Sequence, residues 1–89
     1  MDDAKRNEQA QQMIDFIKQE VIRRPGIQIT ETTPLVSSGL IDSLAMVSIL
    51  IKLEEVSQTR IAVAKVRPKD MDTVALMFAT VQRLGKPRR

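Results

Sequence analysis

The chain of 89 residues contains no cysteine, histidine, tryptophan or tyrosine, and its two phenylalanines are its only aromatic residues. Without cysteine it can form neither a disulfide nor a thiolate metal site. Without histidine it lacks the commonest general base and the commonest zinc ligand. A Ser-His-Asp triad is therefore excluded within this chain, and its core has to be built from Ile, Leu, Val, Ala and Met.

Long hydrophobic runs are also missing. The longest apolar stretch, residues 46–53, is interrupted by a serine and a lysine, and it is far shorter than the roughly 20 residues that cross a bilayer. The first twelve residues are polar and contain no apolar signal core. We therefore expect a cytoplasmic protein. Its length predicts one domain over residues 1–89, with a core at about 4–85 and a basic tail at 86–89.

Positive charge is concentrated at the C-terminal end. The net charge is +3, but residues 65–89 alone carry seven basic and two acidic side chains. A basic segment is one mark of nucleic-acid binding, but neither an aromatic platform nor a continuous basic stripe on a helix accompanies this one. A solvated, basic end of the chain is the simpler interpretation.

Three segments have the spacing of apolar residues that is typical of helices. They cover residues 4–23, residues 43–56, and a last segment that is capped by Asp72 or Thr73 and runs through Leu84. Proline favours a short helical turn at residues 68–71. The sequence thus predicts an all-α fold, a small four-helix bundle of three main helices and one short one.

The segments between these helices are less regular. Residues 25–41 form a long loop that we expect Ile27, Ile29, Leu35 and Leu40 to fix to the core. A loop of this length in so small a domain is usually functional. The segment after the second helix alternates like a short strand at Ile61 and Val63, but no partner strand is evident, so we interpret it as an extended connection.

The hexapeptide Gly39-Leu-Ile-Asp-Ser-Leu lies where the long loop meets the second helix. It places the Ser43 hydroxyl beside the Asp42 carboxylate at the start of that helix. Either residue is a good N-cap, so a purely structural role for Ser43 is one interpretation. A nucleophilic serine needs a base, and only a pairing with Lys52 or Lys65 is open to this chain. A small core offers little to depress the pKa of a lysine.

Residues 39–47, GLIDSLAMV, together with a second helix that ends in LEEV and a last helix opened by DT, resemble the acyl carrier protein family, which includes the peptidyl carrier proteins. The resemblance covers most of the chain, and the attachment motif with its following helix is the specific part. It implies a four-helix carrier fold in which Ser43 receives 4′-phosphopantetheine through a phosphodiester. It also implies that Asp42 is read by the phosphopantetheinyl transferase.

The resemblance further implies that partner enzymes contact the second helix at Leu44, Val47, Ile51, Glu54 and Glu55. Met46, which lies beside Ser43 in the sequence, is a further candidate for contact with a partner or the acyl chain. Such a carrier catalyses nothing itself. It holds an acyl or aminoacyl group as a thioester while an adenylating ligase or acyltransferase loads it and downstream synthases or tailoring enzymes act. We expect a monomer that binds neither nucleic acid nor membrane. The adjacent glutamates point about 100° apart on a helix, which argues against shared acid–base work.

The chain departs from the fatty-acid type of carrier in several places. Ala45 and Ser48 occupy positions that are often acidic there, Lys52 adds a positive charge, and Ser57 stands where an aromatic residue commonly packs. The pI near 9.7 is also unusual for that type. These features favour specialised polyketide or nonribosomal-peptide biosynthesis over housekeeping fatty-acid biosynthesis.

Two functions of other classes remain open at this point. The chain could be a small helical adaptor or a basic nucleic-acid-binding module in which Ser43 is only a helix cap. It could also be a small hydrolase that uses Ser43, which the absence of histidine disfavours.

Overall fold

The computed structural model describes residues 3–87, so Arg88 and Arg89 of the predicted basic tail lie outside it. The described chain is mostly helical, and its elements in order are helix α1 (Asp3–Phe16), a π-helical turn (Ile17–Val21), helix α2 (Ser43–Ser57), strand β1 (Thr59–Arg60), 3₁₀ turns Val63–Lys65 and Pro68–Met71, helix α3 (Val74–Leu84) and strand β2 (Lys86–Pro87). No helix within residues 3–87 is long and apolar enough to cross a membrane.

The first helical segment changes its hydrogen-bonding pattern in its last turn. The Ile22 N–H donates to the Ile17 carbonyl at 2.8 Å, five residues back, which marks a π-helical turn. Arg23 then adopts the left-handed conformation with φ of 61°, and the chain leaves the helix there. The predicted helix over 4–23 is therefore confirmed in position, although its last turn is not α-helical and it ends before the Pro25-Gly26 pair.

Helix α3 begins where the sequence predicts, and two different groups satisfy its first N–H groups. The Thr73 hydroxyl oxygen accepts from the Leu76 N–H at 3.0 Å. The Glu31 carbonyl of the long loop accepts from the Ala75 N–H at 2.9 Å. The helix N-terminus is thereby joined to the long loop, which the spacing of apolar residues did not indicate.

The core is aliphatic and rich in methionine, as the composition predicts. All three helices and the long loop contribute to it, and its fully buried members include Met13, Ile17, Leu35, Ile49, Leu53, Met71, Val74 and Met77. Of the loop residues expected to fix it to the core, Ile29 and Leu35 are buried, and Ile27 and Leu40 are half-buried. The buried Thr80 was not predicted; its hydroxyl donates to the Leu76 carbonyl at 2.9 Å, which makes its burial tolerable.

The expectation that the segment after α2 has no strand partner is wrong at Thr59 and Arg60, whereas the alternating residues Ile61 and Val63 lie in no strand of the described chain. Strand β1 pairs with β2 in an antiparallel register, with Thr59 opposite Pro87 and Arg60 opposite Lys86. Gly85 makes this return possible, since a Cβ there would lie 2.5 Å from the Val81 carbonyl oxygen. At residues 68–71 the structure has a four-residue 3₁₀ turn. The described chain is thus a three-helix fold with one short strand pair, and the four-helix carrier arrangement stays a prediction.

Candidate functional site

The start of α2 separates the roles of Asp42 and Ser43. Asp42 is the N-cap, and its Oδ1 accepts from the Ala45 N–H at 2.8 Å. Ser43 is the first helical residue; its side chain is exposed, and its hydroxyl has no hydrogen-bond partner within residues 3–87. Because the cap belongs to Asp42, the interpretation of Ser43 as the capping residue is wrong, and its hydroxyl is available for other chemistry.

Backbone groups around Ser43 favour an anion. The first α-helical bond of α2 runs from the Met46 N–H to the Asp42 carbonyl at 3.1 Å. The N–H groups of Ser43 and Leu44 therefore have no carbonyl four residues back within the helix that could accept them. Together with the positive end of the helix dipole, they suit a phosphate attached to the Ser43 oxygen.

An apolar depression adjoins Ser43, and we call it the Ser43 pocket. Its volume is about 90 Å³, and besides Ser43 it is lined by Met46, Val47, Leu50, Val63, Val66 and Met71. Helix α2 supplies one wall and the connection to α3 supplies the other. Apart from the serine hydroxyl, its lining side chains carry no group that could act as an acid or a base. The pocket therefore suits an apolar ligand segment better than a reaction.

The outer side of α2 is unusually apolar. Leu44 is 82% exposed, and Val47 and Ile51 are each 58% exposed. They recur three and four residues apart, so they share one side of the helix, which we call the α2 apolar face. Met46, the further candidate beside Ser43, is half-buried and packs against the core.

The two glutamates near the end of α2 are placed differently. Glu54 is half-buried, and its Oε2 accepts from the Ile61 N–H at 2.8 Å. Glu55 is exposed, and its Oε1 lies 3.2 Å from the Lys52 Nζ. Glu54 thus holds the connection after the helix, a role that the sequence did not indicate because its partner is a backbone group in an irregular segment. Only Glu55 of the pair is presented openly on the surface.

Neither lysine that could have activated Ser43 lies in its pocket. Lys52 pairs with Glu55, and its ammonium also lies 5.6 Å from the centre of the Phe16 ring. Lys65 lines a separate groove on the connection. The described residues also contain no group of three or more acidic side chains that could hold a metal ion. Neither lysine is therefore placed to act as a base for Ser43.

A carboxylate in the last third of the chain fixes the loop that leads to Ser43. The Asp72 Oδ1 accepts from the Val36 and Ser37 N–H groups at 2.8 and 2.9 Å, and the Ser37 hydroxyl donates to Oδ2 at 3.0 Å. The Ser37 N–H bond contributes most to lowering the pKa of Asp72 below its usual 3.8, and the other bonds from residues 35–37 add to it. The loop thus approaches α2 from a defined position.

The sequence reasoning missed a second surface feature. Lys65, Arg67 and Lys69 of the connection meet Arg83 of α3 around a groove of about 400 Å³, whose remaining lining residue is Asp70. We call it the basic groove. Alternation of basic residues in the connection was visible in the sequence, but the approach of Arg83 depends on how α3 packs.

Comparisons with protein-family models, with curated proteins and with solved structures give no significant match to this chain.

Proposed function

We propose that this chain is a stand-alone carrier protein that holds an acyl or aminoacyl group on a 4′-phosphopantetheine arm attached to Ser43. The observation that carries the proposal is the start of α2, where Asp42 caps the helix and leaves the Ser43 hydroxyl exposed and without a hydrogen-bond partner among the described residues. A serine in this position is suited to being modified by another enzyme. It lacks the base that would make it a nucleophile within this chain.

The residues at the site fit a phosphodiester. The Ser43 and Leu44 N–H groups and the helix dipole offset its negative charge. The Asp42 carboxylate uses Oδ1 for the cap, and Oδ2 has no hydrogen-bond partner within residues 3–87, so it remains accessible to a transferase and its metal ion. The Ser43 pocket is an apolar depression with a volume of about 90 Å³ beside the attachment point. It is large enough to contact only a short segment of an arm or cargo.

The attachment step balances with coenzyme A as the donor. The Ser43 oxygen forms a bond to the phosphorus that bears the pantetheine portion, and the P–O bond of the pyrophosphate breaks. Adenosine 3′,5′-bisphosphate leaves with the electron pair of that bond, and the hydroxyl proton passes to a base of the transferase. The arm supplies the thiol that this cysteine-free chain lacks.

The proposal gives the α2 apolar face to partner enzymes. Exposed leucine, valine and isoleucine side chains on one side of a helix, rimmed by polar residues, are typical of an interaction surface. Partners would be the transferase, a loading ligase or acyltransferase, and enzymes of fatty-acid, polyketide or nonribosomal-peptide biosynthesis, with specialised metabolism favoured. The proposal includes a cytoplasmic location, where coenzyme A is available to the transferase, and a chain that itself catalyses no reaction.

The test is the intact mass of the protein after incubation with coenzyme A, magnesium and a promiscuous phosphopantetheinyl transferase. We expect the parent and Ser48→Ala to gain one phosphopantetheine, and Ser43→Ala to gain none. Ser48 is the matched control because it is another exposed serine on α2.

Two results would contradict the proposal. One is no gain in the parent while a known carrier is modified in the same reaction. The other is a gain that persists in Ser43→Ala. Ligand binding that is unchanged in Ser43→Ala, with no modification of the parent, would favour the adaptor function instead.

A further inference from the structure

The basic groove contains more positive charge than the described protein neutralises. Its only acidic lining residue is Asp70, whose Oδ1 lies 3.3 Å from the Arg83 Nη2. The Asp70 Oδ2 accepts from the Arg67 backbone N–H at 2.9 Å. Lys65, Arg67 and Lys69 are exposed and have no ion-pair partner within residues 3–87.

The sequence that leads to the groove is also basic, and so is the strand pair. Residues 60–69 contain four basic side chains and no acidic one. The strand pair also sets Arg60 directly opposite Lys86, and like charges in such a position destabilise a strand pair. Charges held within about 8 Å of one another are only partly screened at physiological ionic strength. Lys65, Arg67 and Lys69, which line one groove and have no ion-pair partner among the described residues, therefore favour an anionic partner there.

The chemistry of the groove favours carboxylates over nucleic acid. Single-stranded nucleic acid is bound through base stacking on exposed aromatic rings, but the chain has no Trp or Tyr, Phe78 is buried and Phe16 is half-buried. Phosphate sites commonly use free backbone N–H groups. In this groove the Arg67 N–H donates to Asp70, and the Asp70 N–H donates to the Arg67 carbonyl at 2.9 Å.

One carboxylate already sits in the groove in the manner that we expect of a partner, namely Asp70 against Arg83. We propose that the basic groove is a docking surface for an acidic segment of a partner protein. Clustered Asp or Glu side chains of that segment pair with Lys65, Arg67 and Lys69. An acidic segment is complementary to the net charge of +5 that residues 65–89 carry.

The groove and the Ser43 pocket share one stretch of chain. Val63 and Val66 line the pocket, whereas Lys65 and Arg67 line the groove. A segment bound in the groove thus rests on the same connection that walls the pocket. The inference concerns the unmodified protein, and its test does not depend on whether Ser43 is modified.

The experiment measures fluorescence anisotropy of a labelled oligoglutamate peptide with the full chain at low salt and at increasing salt. We expect saturable binding that weakens with salt. Removal of two ion pairs in Arg67→Gln/Lys69→Gln should weaken binding about fivefold. The control Arg23→Gln/Arg24→Gln removes the same charge from exposed positions beyond the first helix and should change the affinity less than about twofold.

Several outcomes would overturn the inference. One is no binding by the parent at low salt, and another is an equal loss in both double variants, which would show an effect of net charge alone. A third is tighter binding of a single-stranded oligothymidylate of equal charge, with the same loss in Arg67→Gln/Lys69→Gln, which would make the groove a nucleic-acid site. Thermal unfolding of each variant shows that the fold is retained.

Discussion

At the scale of single residues, Asp42 and Asp72 satisfy backbone N–H groups over very different distances along the chain. Asp42 reaches the N–H three residues ahead and begins a helix. Asp72 reaches N–H groups 35 to 37 residues back and holds the long loop. A carboxylate that accepts several N–H bonds is stabilised in its charged form, which is why the pKa of Asp72 is lowered.

The first prediction concerns Asp72→Asn and its dependence on pH. At neutral pH the substitution should lower the free energy of unfolding by about 1–2 kcal/mol, because it replaces charge-assisted hydrogen bonds at a half-buried site. A lowered folded-state pKa gives stability that is present above 3.8 and is lost as the pH falls through the folded value. The difference between parent and variant should therefore shrink in acid.

Urea unfolding at neutral pH and well below pH 3.8 tests this prediction. Asp15→Asn is the control, since Asp15 is exposed and accepts a hydrogen bond from the nearby Gln11 side chain at 2.9 Å. A difference between parent and Asp72→Asn that stays constant over the whole pH range would show that the Asp72 charge contributes nothing to stability.

At the scale of elements, the start of α2 assigns different roles to neighbouring residues. Asp42 ends the loop in an extended conformation and caps the helix, and Ser43 is the first residue of the helix proper. Asp42 therefore stabilises the start of the helix, whereas the Ser43 hydroxyl makes no hydrogen bond within residues 3–87. The same helix end supplies both rigidity and an exposed hydroxyl.

The second prediction compares Asp42→Ala with Ser43→Ala in the unmodified protein. Loss of the cap should lower the free energy of unfolding by about 1 kcal/mol. Ser43→Ala should change it by less than about 0.5 kcal/mol, because the hydroxyl is exposed and makes no hydrogen bond to the part of the chain that the structure describes. Chemical denaturation measures both. An equal or larger loss in Ser43→Ala would mean that the hydroxyl helps to hold the helix start.

At the scale of the whole molecule, α2 divides its apolar residues between the core and the surface. Ile49, Leu50 and Leu53 are buried, whereas Val47 and Ile51 are largely exposed. A helix that is apolar over most of its circumference is typically buried in a core or covered by a partner. In the structure one side of α2 packs in the core, and the other side is exposed.

The third prediction separates these two sides. Val47→Asn/Ile51→Asn should change the free energy of unfolding by less than about 1 kcal/mol, since surface substitutions usually cost little. Leu53→Ala removes a fully buried side chain and should cost about 2–5 kcal/mol. Urea unfolding checks both. A large loss in the double asparagine variant would show that the α2 apolar face is packed within the protein.

Local patterns account for the parts of the fold that were predicted well. The bounds of α2 and α3 and the turn at 68–71 follow from apolar spacing, from capping residues and from proline, all of which act within a few residues. The candidate site at Asp42 and Ser43 rests on a local motif and a family resemblance, and it stays a prediction. The missing strand partner was not predicted, because β2 lies at the far end of the described chain.

The sequence by itself determined the helices, the aliphatic core and the motif at Ser43, because these depend on residue type and short spacing. Only the tertiary structure decided that Asp42 takes the cap and that Asp72 holds residues 35–37. It also decided that Arg83 joins Lys65, Arg67 and Lys69 around one groove. Two of these three outcomes join residues more than ten positions apart, and such contacts form only when the helices pack. The remaining outcome, the cap at Asp42, is a choice between two neighbouring residues that are both good caps. The backbone conformation at the helix start decides it.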